Sequence, residues 1–186
     1  GHEYSVSHFK DNFYIITNND DSKNFKLMKS SIGKTKKENW EKVIGHRRNI
    51  LLEGIEIFND YLVVIERDSG LVKMNIRSWD NNENYYLPVE GETYSLSNGT
   101  NIDFKSKKLR YNFSSLNNPS SIIDFDMSTK SFEIKKKQEV IDDNFDESNY
   151  ITERMWANSH DNTKVAISII RHKNTKLNQN TPLLLY

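Results

Sequence analysis

The chain has 186 residues, of which 35% are hydrophobic and 11% aromatic, and its 26 Lys and Arg are matched by 26 Asp and Glu. That balance excludes the basic surplus of a nucleic-acid or membrane-surface binder, and also the disorder driven by high net charge. The lack of Cys excludes disulfides and thiolate metal sites, and no apolar run nears the ~20 residues of a membrane-spanning helix.

Nine Tyr and nine Phe suit half-buried sheets better than a helical bundle. In chain order, an apolar strand is expected at 3–7, then a hairpin of 13–17 (FYIIT) and 25–28 (FKLM), then a short strand at 41–44. A second set follows at 54–58, 61–66 (YLVVIE), 71–76 (LVKMNI) and 85–87, with Arg67-Asp68-Ser69-Gly70 as the hairpin turn. The third set occupies 93–97, 109–114 (LRYNFS), 121–125 (SIIDF) and 132–134, turning at Asn117-Asn118-Pro119. The second strands start at 13, 61 and 109, so the spacing is 48 residues each time. Turn formers bound every pair.

Four antiparallel strands in each unit of roughly 40–50 residues describe a β-propeller blade. The fold class read from the sequence is therefore all-β, with three four-stranded blades at 3–46, 54–88 and 92–137. Propellers close with ~4–8 blades, so three blades are expected to belong to something larger or to pair with another copy. The Lys34, Lys36, Lys37 and Lys135, Lys136, Lys137 runs read as solvated turn and edge charges that discourage strand pairing.

Residues 138–150 are acidic and read as a linker. A hairpin is expected from 153–158 (ERMWAN) and 165–171 (VAISIIR), turning at His160-Asp161-Asn162. The closing Leu183-Leu184-Leu185-Tyr186 reads as a buried strand cut off at its end, and the Gly1-His2 start as a processed terminus. With no signal-peptide pattern, a cytoplasmic location is expected.

Chemistry-bearing patterns are sparse. The glycines at 1, 33, 45, 54, 70, 91 and 99 never fall four apart, so the G-x-S-x-G turn that lifts a nucleophilic Ser clear of its sheet is missing. His2, His8, His46, His160 and His172 are scattered singly, with no His-x-His or His-Glu-x-x-His spacing. Glu53 with Glu56, and Asp142 with Asp143, are carboxylate pairs that read as solvated rather than catalytic. Gly33-Lys34-Thr35 lacks the first glycine of a phosphate loop, since Met28 stands there. Trp40, Trp79 and Trp156 read as core and interface aromatics in preference to a stacking platform.

Several segments together carry a resemblance: KNFKLMK at 23–29, LLEGIEIF at 51–58, DYLVV at 60–64, SSLNNPSSIIDFDM at 114–127, KKQEV at 136–140, ERMWANSHDNTKVAISIIRHKN at 153–174 and TPLLLY at 181–186. In their order and spacing they resemble the prolyl oligopeptidase family of serine peptidases, and within it the oligopeptidase B group. The resemblance implies a seven-bladed propeller over an α/β-hydrolase domain, with 151–186 as the start of that domain. It implies peptide substrates, cleaved after Lys or Arg, with the propeller as filter. It also implies that the catalytic Ser, Asp and His lie beyond Tyr186, which matches only the first tyrosine of the family's Y-G-Y-G segment. No catalytic, cofactor-binding or metal residue is therefore expected in this chain, and no cofactor. A different class stays open: a stand-alone β-rich binding module without catalysis.

Overall fold

The computed structural model describes residues 1–142 and 144–185. Strands β1 (Tyr4–Phe9), β2 (Asn12–Thr17), β3 (Lys26–Ser31) and β4 (Glu41–Ile44) form the first antiparallel sheet, in chain order. Sheet two repeats the meander with β5 (Ile50–Ile57), β6 (Tyr61–Asp68), β7 (Leu71–Ser78) and β8 (Asn84–Tyr86). Sheet three does so with β9 (Tyr94–Asn98), β10 (Lys108–Ser115), β11 (Ser121–Asp126) and β12 (Ser131–Lys137). A separate hairpin pairs β13 (Tyr150–Asn158) with β14 (Lys164–His172). Among the described residues, helix is confined to two three-residue 3-10 turns, Lys37–Asn39 and Glu147–Asn149.

The 48-residue period is the period of the sheets: residues 13, 61 and 109 all lie at the start of a second strand. Turn chemistry sets the registers. Asp68 pairs with Leu71, leaving Ser69 and Gly70 as a two-residue loop with φ of 52° and 83°. Positive φ at both positions matches the twist of the flanking strands, and Gly takes it without steric cost. At the tip of the last hairpin, Asn162 takes the left-handed conformation with φ 63°, which Asn tolerates better than most residues.

Alternation on β6 shows where the core sits. Tyr61 and Val63 face sheet three, where they join Met74, Ile76, Leu109, Phe125 and Met127; Leu62 and Val64 face sheet one and meet Phe9, Tyr14, Ile16 and Leu27. Sheet two is thus buried on both faces, which is why its second strand is continuously apolar.

Four expectations need correction. The first strand of sheet two is Ile50–Ile57 rather than 54–58, so that sheet begins four residues earlier. The last strand of sheet two is Asn84–Tyr86 rather than 85–87, although Leu87 still donates its amide to the Met74 carbonyl at 2.8 Å. The hairpin begins at Tyr150, because the 138–150 segment closes on the turn Glu147–Asn149 and leads straight into pairing with His172. Leu183, Leu184 and Leu185 form no strand and are 78–89% exposed; among the described residues no strand pairs with them. The Tyr186 part of that expectation, and Asp143, lie outside the described residues.

Candidate functional site

Equivalent connections gather at two opposite ends of the sheets. At one end lie the Ser69-Gly70 turn and the Asn117-Asn118-Pro119 turn, and here the β13–β14 hairpin docks. The Arg154 guanidinium donates to the Ser69 carbonyl, and Asn117 Nδ2 reaches the carbonyls of Glu147 and Tyr150, each at 3.5 Å. Arg154 also lies over the Trp156 ring, 5.2 Å from its centroid. Between turn and hairpin is a cleft of about 330 Å³, lined by Asp68, Ser69, Lys73, Glu92, Arg154 and Trp156 among others.

The opposite end carries the tight β1–β2 and β5–β6 turns and the longer 99–107 loop. Its aromatic side chains cluster: the Phe9 ring stacks on Trp79 at 4.7 Å, Tyr14 lies 5.3 Å from Trp79, and the Trp79 indole donates to the Phe58 carbonyl at 3.0 Å. A cleft of about 270 Å³ opens beside the 99–107 loop, with Asn101, Asp103, Lys108, Arg110 and Asp124 in its wall.

One charged group is buried between sheets one and two. The Glu66 side chain is 1% exposed and accepts from Arg47 at 2.5 and 3.3 Å and from the Tyr86 hydroxyl at 2.9 Å. A buried carboxylate needs such donors, because losing water costs several kcal/mol unless charge and hydrogen bonds replace it. Burial first, then the bond to Glu66, pushes the Tyr86 hydroxyl above its ordinary range. Burial likewise lowers the pKa of Arg77, whose Nε donates to Asn75 Oδ1 at 2.7 Å. On the outer face of sheet three, Arg110 grips Asp124 with two bonds of 2.7 and 2.8 Å and holds that carboxyl below its ordinary range.

The residues singled out in the sequence are dispersed. Glu53 pairs with Arg67 at 2.5 Å and Glu56 accepts from Asn98 at 2.5 Å, so each carboxylate has its own partner. Asp142 caps a local turn by accepting from the Asn144 amide at 2.9 Å. His8 sits against Phe13, His160 against Ser159, and His172 edge-on to Tyr150. Among the described residues no three His, Asp or Glu side chains converge as a metal-holding group, and no helix is long and apolar enough to cross a membrane. Trp79 is packed between sheets one and two, Trp40 donates to the Thr35 carbonyl at 3.0 Å, and Trp156 is 50% exposed under Arg154. Sequence reasoning missed Glu66 and Arg47. The signal for Glu66 was its place two residues beyond Val64, on the same inward face of β6.

Comparison with known proteins places this arrangement. The model of the family described as prolyl oligopeptidase, N-terminal β-propeller domain, matches residues 1–138. Dipeptidyl aminopeptidase BI of Pseudoxanthomonas mexicana is 28% identical over 99% of this chain and 25% of its own length. Prolyl endopeptidase of Elizabethkingia meningoseptica is 24% identical over 95% of this chain and 24% of its own. The structure of oligopeptidase B from Leishmania major superposes with a TM-score of 0.83 at 25% identity, covering 98% of this chain and 26% of that one. The chain spans about a quarter of the length of the relatives it matches.

Proposed function

The chain belongs to the prolyl oligopeptidase N-terminal β-propeller family, and on that premise we propose that its three four-stranded sheets are consecutive blades of a seven-bladed propeller that filters peptides for a serine hydrolase domain. The blades follow the expected 3–46, 54–88 and 92–137, the second extended back to Ile50 where β5 begins; the expected linker 138–150 gives way at Tyr150 to the hairpin, and with it 151–186 begins the hydrolase domain. The observation that carries this reading is where the family match ends. It stops at residue 138, one position past β12, and leaves the β13–β14 hairpin outside it. The hairpin has side chains to offer a further partner: Met155 is 52% exposed, Val165 47% and Ile170 41%.

Stacked, twisted sheets leave only the ends of a propeller open, so a substrate must be narrow enough to thread between loops or wait for the blades to part. Within the family the reading follows the oligopeptidase B group, with cleavage after Lys or Arg and a cytoplasmic location. The three blades supply part of the filter, while the Ser, His and Asp of the reaction belong to the rest of the enzyme. The outer face of sheet one, where Tyr4 is 64% and Val6 51% exposed, supports self-association when the segment stands alone, because apolar patches of this kind seek cover.

The test uses the full-length protein that carries this segment. Fluorogenic peptides ending in Arg, Lys or Pro should be ranked by kcat/KM, and a short Arg peptide compared with the same sequence inside a folded protein. Preference for Pro would overturn the Lys/Arg assignment, and equal cleavage of the folded protein would overturn the filter. The isolated segment should turn over none of these peptides and take no fluorophosphonate label. Light scattering across a tenfold dilution reads its association.

A further inference from the structure

Sheets one and three contribute to different core clusters, and neither cluster contains residues of both. They nevertheless meet at the aromatic end, through the β9–β10 connection. Where β1–β2 turns on Lys10-Asp11 and β5–β6 on 58–60, β9–β10 runs from 99 to 107. From the structure we infer that this connection is a strap, by which sheet three holds sheet one across the end of sheet two.

The strap is rooted firmly. Gly99 donates its amide to the Arg110 carbonyl at 3.0 Å, and a Cβ at Gly99 would sit 2.8 Å from that same oxygen. Asn101 clamps the same residue from both sides: its Oδ1 accepts from the Arg110 amide at 2.7 Å, and its Nδ2 donates to the Arg110 carbonyl at 3.0 Å. An Asx turn follows, Asp103 accepting from the Lys105 amide at 2.9 Å and from Ser106 N at 3.0 Å through its own carbonyl.

That turn delivers Phe104 to the far sheets. Its carbonyl accepts from the Asn59 amide of the sheet-two turn at 2.8 Å, and its ring packs 5.8 Å from the Phe9 ring of sheet one. Phe9 in turn stacks on Trp79. Root and tip therefore differ in kind. The root is polar and fully bonded, whereas the tip holds sheet one by a single aromatic contact and sheet two by one backbone bond, with Phe104 44% exposed. A tip of that strength releases and reseats without unfolding sheet three, which makes the strap a latch on the angle of sheet one.

Hydrogen exchange on the 186-residue chain tests the latch. Phe104→Ala removes the aromatic contact with sheet one and keeps both the root and the backbone bond from Asn59. Loss of one aromatic pair should raise exchange in the 9–17 segment about three- to tenfold, with the β10–β11 amides within about twofold of the parent. Ile102→Ala, at a side chain 91% exposed on the same loop, should change neither segment. Unchanged exchange at 9–17 overturns the strap, as does an equal rise in both segments, which would make Phe104 a support for the whole fold. Should Phe104→Ala fail to fold by circular dichroism, Phe104→Leu is read by the same two criteria.

Discussion

Between sheets two and three, Phe58, Val63, Met74, Ile76, Leu109, Phe125 and Met127 fill the seam with apolar volume. Between sheets one and two the cluster of Phe9, Tyr14, Ile16, Leu27, Leu62 and Val64 is smaller, and the same seam holds the buried Glu66 with Arg47 and Tyr86. An apolar seam rewards any close-packed arrangement of its side chains. A seam containing a carboxylate rewards only the arrangement that brings the donors to it. Arg47 lies in the short connection from β4 to β5, so its bond to β6 also fixes how the chain crosses from one sheet to the next.

The contrast can be broken first on the apolar side. Phe125→Ala at a fully buried position should cost about 3–5 kcal/mol, from lost burial and the cavity left behind. Urea denaturation measures it, and a loss below about 1 kcal/mol would mean that this seam is loosely packed.

On the polar side, Glu66→Leu should cost about 1–3 kcal/mol, because Arg47 and Tyr86 lose their acceptor. Arg47 is 33% exposed and recovers some water, which keeps the loss below that of Phe125→Ala. Combining Glu66→Leu with Arg47→Met should restore more than half of it, as replacing both members of a buried pair does elsewhere. Additive losses in the double variant would show that the pair contributes net stability here.

Asp124 offers an ion pair outside both seams. Its pKa in the folded chain is lowered from the ordinary 3.8 by Arg110. A lowered carboxylate contributes stability above its unfolded value and loses it as pH falls through the folded value. The gap in thermal midpoint between the parent and Asp124→Asn should therefore be full at pH 6 and shrink as pH drops below 3.8. A gap constant down to pH 2 would contradict this.

The smallest effect concerns Tyr111 in the apolar seam. Burial pushes its hydroxyl up to about 12 from 10.0, so it is neutral in both states below pH 10, and stability falls as pH climbs from 10 towards 12 because the unfolded chain ionises first. Ultraviolet titration of Tyr111→Phe should lack one group ionising near 12, with stability at pH 7 almost unchanged.

Much of this architecture could be read from one dimension. FYIIT, YLVVIE and LRYNFS stand 48 residues apart because each is the second strand of a meander, and Ser69-Gly70 announces its turn because only certain residues accept positive φ there. The candidate site was less legible. Glu66 lies two residues beyond Val64 on the same face of β6, which is the one local hint of its burial, yet a carboxylate late in a strand more often reaches water. Its burial depends on sheet one arriving with Arg47. The 99–107 connection reads as polar loop, and only the placement of Asn59 and Phe9 turns Phe104 into a contact.

Strand identity, turn type and the alternation of faces were thus determined by the sequence itself, because they depend on backbone sterics and on side chains two residues apart. Which face met which sheet, which carboxylate lost its water and what the long loop touched were decided by tertiary structure. Those outcomes depend on groups many residues distant, such as Arg47 for Glu66 and Phe9 for Phe104, whose meeting no local pattern encodes. The 183–185 segment makes the same point in reverse: its apolar run reads as a buried strand, but a strand forms only where another backbone supplies the hydrogen bonds.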